Sequence, residues 1–342
     1  MKQFPVHHLI WTTLATVAVT SAVTYRFTLP KAITPVQPHV ESGKVEDCVY
    51  GLNRLSGYRF VSPLVSAETE CESKSLLPLK QSVDSYIEYQ QKSGTLTRAS
   101  VYVRMFRNSD WTAIHMNEKF HPASLLKVPE IITFLRMAEN DPGLLDRKIR
   151  FVKPLEQYPT TAFASQTLQS GHEYSIRELF HYLLAYSDNY ANVELIHRMD
   201  MAAFRKTFTD LHLTPPDMSD RNYVMSAKDY SKFPEALYNT AYLTINSSEY
   251  ATSLLSECNF KDGLLKGLPE GEQVAHKFGE WSDGVGYELH ESGIVYLNHE
   301  PYLITVMTAG PDIHKLADVI GDLSKITYDY FNRNLAYQPT RP

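Results

Sequence analysis

The sequence predicts an α+β domain in which strands from both ends of the folded region share one antiparallel sheet and helices fill the middle. Strand-like patterns occur early, over residues 100–106 and 111–116, and return late, over residues 273–278, 293–297 and 302–308. Between these blocks, apolar residues recur at helical spacing. This order of elements is typical of an α+β fold rather than of alternating parallel units.

The individual helices follow from capping and stop signals in chain order. A helix over residues 79–92 precedes the first hairpin, and a helix over residues 124–139 ends at Asn140-Asp-Pro-Gly143. Ser175-Ile-Arg-Glu178 is a capping box, which opens a further helix. The remaining predicted helices cover residues 192–198, 202–211, 227–238, 249–257 and 313–332.

The composition is that of a folded protein without a strongly basic surface. The chain has 342 residues, of which 43% are hydrophobic and 21% charged, and its formal net charge is −6. A nucleic-acid partner would require a clustered basic surface, so we expect none. The sequence has no C-x-x-C pair, no H-E-x-x-H motif and no Gly-rich phosphate loop. It therefore predicts no metal and no cofactor.

The first 26 residues differ in composition from the rest of the chain. Residues 9–25 contain no charged residue, and a run of this length lies at the short end of the range for a membrane span. We expect an uncleaved membrane anchor over residues 1–26; a cleaved signal segment and a buried soluble helix are the alternatives. Either export interpretation puts the remainder in the cell envelope, anchored through residues 9–25, or secreted after cleavage.

Residues 27–45 are interpreted as a linker, because prolines break helices there and no hydrophobic period is found. Residues 46–74 either add a strand to the sheet or wrap it. In an oxidising compartment Cys48 and Cys71 could form a disulfide, which would leave Cys258 as a small buried apolar residue.

Ser124-Leu-Leu-Lys127 has the form S-x-x-K and lies at the predicted start of a helix. Residues three apart there share one helix face. A serine hydroxyl is a good nucleophile only when a base takes its proton, and a lysine can do so once burial and nearby cations lower its pKa. The pattern predicts Ser124 as nucleophile and Lys127 as base; the alternative is an ordinary helix start with a solvated lysine.

Two further motifs lie in suitable structural contexts. Ser187-Asp-Asn189 interrupts a helical region, where it could relay a proton and hold a substrate amide, or simply join two helices. Lys277-Phe-Gly279 lies on a predicted strand, where the lysine would add positive charge and the glycine would let substrate approach the strand edge. If the three motifs form one active-site cleft, they must lie in one folded unit. We therefore expect a single domain over residues 46–335, with a tail over residues 336–342, rather than the two domains that length suggests.

In this order the three motifs resemble the penicillin-recognising serine hydrolases, meaning the class A β-lactamases and the related D,D-peptidases. The resemblance covers residues 75–335 and extends to Phe120-His-Pro-Ala-Ser124, Tyr186-Ser-Asp-Asn189 and Val274-Ala-His-Lys-Phe-Gly279. It implies the β-lactamase/transpeptidase-like form of the α+β fold, with a helical cluster inserted between the N- and C-terminal strands of the sheet.

The resemblance also implies a role for the residues of the first two motifs. Ser124 would attack a carbonyl carbon and form an acyl-enzyme, with Lys127 as the base. Ser187 would pass a proton to the leaving nitrogen, and Asn189 would hold the side-chain amide of the substrate.

By the same resemblance, the third motif would bind the substrate. Lys277 would lie beside the second motif and the substrate carboxylate. The oxyanion hole would use the backbone N–H groups of Ser124 and of Glu280, just past Gly279. Phe278, at a substrate-binding position, departs from the family pattern because Thr or Ser usually stands there and offers a hydroxyl.

A second departure concerns deacylation. Class A β-lactamases carry Glu-x-x-Leu-Asn on a loop after the second motif, and that glutamate activates the deacylating water. No such pattern occurs between Asn189 and Lys277. Asp217 or Asp220 could stand in, although each is also typical of a solvated turn. General-base catalysis contributes about 10²–10⁴-fold, so we expect slow deacylation of a β-lactam.

The sequence thus predicts a serine hydrolase of class A β-lactamase type, which cleaves a β-lactam or a related amide bond. A D,D-carboxypeptidase acting on peptidoglycan stem peptides is an alternative, since it needs the same three motifs and no glutamate loop. A non-catalytic envelope-binding domain of the same fold is the alternative from another class. The intact motif residues argue against it, whereas Phe278 and the missing glutamate argue for it.

Overall fold

The computed structural model of the protein describes the greater part of the chain beyond residue 49. The described residues are 50–55, 64–69, 71–155, 162–163, 165–217, 222–297 and 300–336.

Contacts between Cα atoms divide the chain into Met1–Asp47 and Cys48–Pro342, and every described residue belongs to the second unit. The predicted anchor over residues 9–25 and the linker over residues 27–45 lie outside the described residues. None of the helices in the described ranges has the length and apolar character needed to cross a membrane.

A five-stranded antiparallel sheet forms the centre of the described domain. Its spatial order is β4-β3-β11-β10-β9, so two strands from the start of the domain pair with three from its end. The predicted α+β class, with N- and C-terminal strands in one sheet, is confirmed. The strands are β3 (Arg98–Met105), β4 (Trp111–Ile114), β9 (Val274–Ser282), β10 (Tyr287–Val295) and β11 (Tyr302–Gly310).

Helices cover both faces of this sheet. Side chains alternate between the faces along a strand, and β3 shows this directly. Val101 and Val103 pack in one apolar cluster with the first and last helices, whereas Tyr102 packs in another cluster with the helices from the middle of the chain. The helices are α1 (Leu77–Lys92), α2 (Lys127–Ala138), α3 (Ile176–Ala185), α4 (Asn189–Ile196), α5 (Met201–Asp210), α6 (Ala227–Tyr238), α7 (Ile245–Ser256) and α8 (Ile313–Ala336).

Within residues 46–74, the described strands form an N-terminal hairpin. Strands β1 (Tyr50–Arg54) and β2 (Leu64–Thr69) pair with each other and not with the central sheet. Cys71 is disulfide-bonded, and Cys258 is a free, buried thiol, as predicted. The other member of the predicted pair, Cys48, lies outside the described residues.

Short strand pairs connect the helices, and the sequence analysis did not predict them. They are β5 (Lys119–Phe120) with β8 (Met225–Ser226), and β6 (Lys148–Arg150) with β7 (Glu173–Ser175). Segments of two or three residues are too short to show alternation, which is why no pattern indicated them.

Element boundaries near the predicted site differ in an informative way. The predicted capping box of α3 is present, since the Ser175 side chain accepts from the backbone N–H of Glu178 and the Glu178 carboxylate accepts from that of Ser175. The helix predicted from Ser124 instead begins with a 3₁₀ turn over Ala123–Leu126, and regular α-helix starts only at Lys127. Pro129 costs no hydrogen bond there, because the first N–H groups of a helix have no intrahelical partner.

Strand β10 is longer than predicted. Its first half carries buried polar residues. Glu288, His290 and Glu291 are all at most 5% exposed. Their polarity hides the strand from a hydrophobicity pattern, so only its apolar end was predicted.

Candidate active site

Ser124 lies in the 3₁₀ turn Ala123–Leu126, immediately before helix α2. The side chain is partly exposed. The preceding Ala123 has a φ of +49°, in the left-handed region that residues with a side chain seldom adopt. Backbone held in such a conformation concentrates at functional sites. The turn thus presents one partly exposed hydroxyl at the end of a buried helix.

Lys127 extends from the first residue of α2 into a buried polar cluster. Its Nζ donates hydrogen bonds to the backbone oxygen of Ser187 at 2.6 Å, to the hydroxyl of Ser187 at 3.2 Å and to Oδ1 of Asn189 at 2.9 Å. Within the described ranges, no hydrogen bond joins the Lys127 amine to the Ser124 hydroxyl. Catalytic hydrogen bonds are often long without substrate and shorten when it binds.

The turn that carries Ser187 is held in place by Asp188. Ser187 has a φ of +55°, and Asp188 caps the N-terminus of α4. The Asp188 carboxylate accepts from the backbone N–H groups of Tyr190 and Leu168, each at 2.9 Å, and from the Thr167 hydroxyl at 3.1 Å. Asp188 therefore fixes the turn between α3 and α4, while the adjacent Ser187 and Asn189 accept hydrogen bonds from Lys127.

Lys277 approaches the same serine from strand β9. Its Nζ donates to the Ser187 hydroxyl at 2.9 Å and to the backbone oxygen of Phe278 at 2.8 Å. Lys277 is 1% exposed and Lys127 is 3% exposed. The amines of both predicted lysines thus donate hydrogen bonds to one buried hydroxyl, that of Ser187.

Burial makes both lysines easier to deprotonate, and the charge of Lys277 adds to this effect on Lys127. Burial, and then the positive charge of Lys277, lower the pKa of Lys127. Burial likewise lowers the pKa of Lys277, to about 8. A neutral amine can accept a proton, so this arrangement can supply a base next to the turn of Ser124.

Gly279 lets strand β9 lie directly against the turn of Ser124. A Cβ atom at this position would lie 2.7 Å from the backbone oxygen of Pro122 and 3.0 Å from the backbone nitrogen of Leu125. No side chain fits in that space. The predicted glycine is therefore required for the approach of strand and turn, and Glu280 follows it at the rim.

The described residues contain no group of three or more His, Cys, Asp or Glu side chains that could hold a metal ion.

A family model described as the Beta-lactamase enzyme family matches residues 78–331. The chain belongs to that family. The match includes every predicted motif, so the resemblance to penicillin-recognising serine hydrolases is confirmed. No curated protein sequence matches the chain at a significant level.

Several solved structures share the fold at low sequence identity. A class A β-lactamase from Mycobacterium abscessus is 20% identical over 73% of this chain and 99% of its own, with a TM-score of 0.63. A β-lactamase from Chitinophaga pinensis is 18% identical over 75% of this chain and 100% of its own, with a TM-score of 0.64. PBP-A, in a mutant acyl-enzyme complex with penicillin G, is 19% identical over 75% of this chain and 97% of its own, with a TM-score of 0.63. The β-lactamase/transpeptidase-like form of the fold is thereby confirmed.

Phe278, where the family usually has a hydroxyl, packs in the core. Its side chain is 2% exposed, and its ring stacks on Phe260 with 4.5 Å between ring centroids. The edge of Phe163 faces it at 6.4 Å. The sequence predicts Phe278 as a substrate-binding residue; in this structure its ring is buried, and the Lys277 amine lies 4.1 Å from the ring centroid.

Glu280 has a second contact that the sequence did not predict. The sequence predicts a role only for its backbone N–H, as a donor in the oxyanion hole. Its carboxylate accepts from the backbone N–H of Ala162 at 2.7 Å and from that of Phe163 at 3.2 Å. A segment from between α2 and α3 is thus attached to strand β9 beside the site.

Glu130 is a buried acid near the site that sequence analysis missed. Oε2 of Glu130 accepts a hydrogen bond from Nδ2 of Asn192 at 2.5 Å, and the residue is 5% exposed. Of the two aspartates considered instead, Asp217 is exposed and Asp220 lies outside the described residues. The available signal was a glutamate three residues after Lys127, hence on the same helix face.

Proposed function

We propose that this member of the β-lactamase family is a serine hydrolase that forms an acyl-enzyme on Ser124. One observation carries the proposal. The Ser187 hydroxyl lies between the amines of Lys127 and Lys277, beside the turn that presents Ser124. A buried hydroxyl between two amines can pass a proton from one to the other, which a purely structural cluster would not need.

The first step would be attack on an amide carbonyl. Neutral Lys127 takes the proton from the Ser124 hydroxyl while the oxygen bonds to the carbonyl carbon. The carbonyl electron pair moves onto its oxygen, where the backbone N–H groups of Ser124 and Glu280 would stabilise the negative charge. Such a donor commonly contributes about 2.7–4 kcal/mol.

The second step would expel the amine. The tetrahedral intermediate collapses to an ester on Ser124, and the C–N bond breaks. The Ser187 hydroxyl gives its proton to the leaving nitrogen and regains one from Lys127 or Lys277, which are both within hydrogen-bond distance of it. Asn189, on the same turn, would hold the substrate amide.

We propose a β-lactam as the substrate, because the strained ring amide is the bond that enzymes of this family open. A mutant of PBP-A, a protein of the same fold, has been solved as an acyl-enzyme complex with penicillin G. The missing Glu-x-x-Leu-Asn loop predicts that the ester on Ser124 is hydrolysed slowly. Phe278 offers no hydroxyl to a substrate carboxylate. Lys277 is therefore the group on the third motif that would bind it.

We also propose that the domain works in the cell envelope. Residues 9–25 carry no charge, and a bonded Cys71 fits an oxidising compartment. Two separate measurements on cells test this. One asks whether the full chain is extracted with the membrane fraction, and the other applies a protease to intact cells from outside. An anchored external domain is cut from the cell surface, and an internal one is protected.

Labelling with a fluorescent penicillin tests the acyl-enzyme. The protein should gain a covalent label that survives denaturation, and Ser124→Ala should abolish it. Ser253→Ala, an exposed serine on α7, is the matched control and should label normally. Equal labelling of Ser124→Ala and the unaltered chain would contradict the proposal.

The lifetime of the label separates the substrate classes. A label that persists for hours fits slow deacylation, and rapid loss of the label with release of opened penicillin fits an efficient β-lactamase. Release of D-alanine from a peptidoglycan stem peptide would favour the D,D-carboxypeptidase. A folded protein with none of these activities would favour the non-catalytic envelope-binding domain.

A further inference from the structure

Two helices, the buried α2 and the half-buried α4, present a matched set of polar side chains next to the site. On α2, Lys127 and Glu130 are three residues apart; on α4, Asn189 and Asn192 are also three apart. Each asparagine contacts one charged partner. Lys127 donates to Asn189 at 2.9 Å, and Asn192 donates to Glu130 at 2.5 Å. The cation and the carboxylate thus occupy consecutive turns of one helix, each held from the facing helix.

The environment makes this carboxylate electrostatically important. Glu130 and Lys127 are 5% and 3% exposed, so water screens their interaction weakly. The other charged groups that act on Lys127 are Lys277, Asp188 and Glu280. Backbone N–H groups hold the carboxylates of Asp188 and Glu280 at other elements. Glu130 is the acid on the same helix as the lysine.

The mutual effects have definite directions. The pKa of Glu130 is raised, because burial outweighs the opposing effects of Lys127, of the hydrogen bond from Asn192 and of the charge of Lys277. In return, the Glu130 carboxylate raises the pKa of Lys127 and opposes the effects of burial and of Lys277. Ionised Glu130 therefore makes Lys127 a stronger base.

We propose that Glu130 is a positioning residue for acylation, which stabilises the ammonium that Lys127 becomes when it accepts the Ser124 proton. This inference rests on the proposed function. The proton moves from Ser124 Oγ to Lys127 Nζ as the oxygen–carbon bond forms, and Glu130 undergoes no covalent change. Glu130 follows Ser124 by six residues, roughly 10 Å along the helix axis. It therefore acts through the lysine rather than on the ester.

The pH dependence of acylation tests this role. Acylation requires neutral Lys127, so its rate rises with pH as the lysine loses its proton. Glu130→Gln removes the negative charge and keeps a side chain that can accept from Asn192. The midpoint of the rising limb should move to lower pH by about one unit. The rate above it should fall by about tenfold, because a weaker base takes the proton less readily.

Three variants make the result specific. Glu130→Asp keeps the charge and should restore most of the wild-type profile. Asn192→Ala removes the hydrogen bond that favours the ionised acid, so its midpoint should move in the same direction by less; it also tests the inference if Glu130→Gln does not fold. Glu139→Gln, at the C-terminal end of the same helix, should leave the profile unchanged.

The outcomes for this inference and for the proposed function are distinct. If the unaltered protein is never labelled by the fluorescent penicillin, the proposed function fails. If the protein is labelled and the variants at Glu130 and Asn192 keep its midpoint, the inference fails and the proposed function stands. A loss of rate with an unchanged midpoint would mean that Glu130 only supports the fold.

Discussion

At the scale of single residues, the proposed mechanism requires two lysines in opposite protonation states. Lys127 must be neutral to take a proton, whereas Lys277 must be charged to attract a carboxylate. Burial lowers the pKa of both, and the positive charge of Lys277 lowers that of Lys127 further. The proposed mechanism therefore predicts acylation only in the pH range between the two deprotonations.

The first prediction concerns this pH range. The rate of labelling should rise as Lys127 loses its proton and fall near the pKa of Lys277, which is about 8. Lys277→Arg should remove the falling limb, because a guanidinium stays protonated at these pH values. Lys315→Arg, exposed on α8, should change nothing. A falling limb that persists in Lys277→Arg would show that another group titrates there.

The sequence was sufficient to predict Ser124, Lys127, Ser187 and Lys277 as candidates, because each lies in a short motif with a fixed spacing. It was not sufficient for Glu130, whose importance depends on Asn192, 62 residues further along the chain. Nor could it show that Phe278 is buried, because an aromatic residue on a strand faces a core or a cleft depending on what packs over it.

At the scale of elements, strand β9 both carries the third motif and holds a neighbouring segment. Gly279 lets it contact the turn of Ser124, and the Glu280 carboxylate binds the backbone of Ala162 and Phe163. Phe163 in turn faces the ring of Phe278. The Glu280 carboxylate and the ring contacts of Phe163 thus attach this segment to the edge of the site.

The second prediction tests this attachment. Glu280→Gln weakens both hydrogen bonds, because a neutral amide accepts less strongly than a carboxylate. A hydrogen bond to a charged group is worth about 1.5–3 kcal/mol. The amides of Ala162 and Phe163 should then exchange with deuterium at least about tenfold faster in hydrogen-exchange mass spectrometry.

The internal control is strand β11, in the centre of the sheet, whose amides should keep their exchange rates in this variant. Faster exchange throughout the protein would indicate global destabilisation, and unchanged exchange at Ala162 and Phe163 would remove the proposed role of the carboxylate.

At the scale of the whole molecule, one buried ion pair joins the parts of the domain. Arg104 on β3 lies 3.3 Å from the carboxylate of Glu235 on α6, and both side chains are at most 5% exposed. Arg104 also donates to the backbone oxygen of Ala67 in the N-terminal hairpin, at 3.4 Å. The central sheet, a covering helix and the hairpin thus meet at one guanidinium.

The third prediction follows from the cost of removing a carboxylate from beside a buried guanidinium. Glu235→Ala should lower the free energy of unfolding by about 3–5 kcal/mol, measured by urea denaturation. The double variant Arg104→Met with Glu235→Leu should recover most of it, because apolar side chains of similar volume need no partner. A double variant as unstable as Glu235→Ala would contradict this interpretation.

The whole-molecule architecture was predictable because strand and helix patterns separate clearly along the chain. The hairpin β1–β2 was not, because residues 50–54 include Gly51, Asn53 and Arg54 and show no apolar alternation. The first half of β10 was hidden by buried acids and histidines, which lie in the core only because partners from other elements satisfy them.

Peptide mapping of the protein after reaction with penicillin tests most directly whether Ser124 forms the acyl-enzyme. We expect one covalent adduct on Ser124, with the mass of the opened β-lactam, and no adduct on Ser124→Ala. An adduct on another residue, or a folded protein with no adduct at any penicillin concentration, would contradict this expectation.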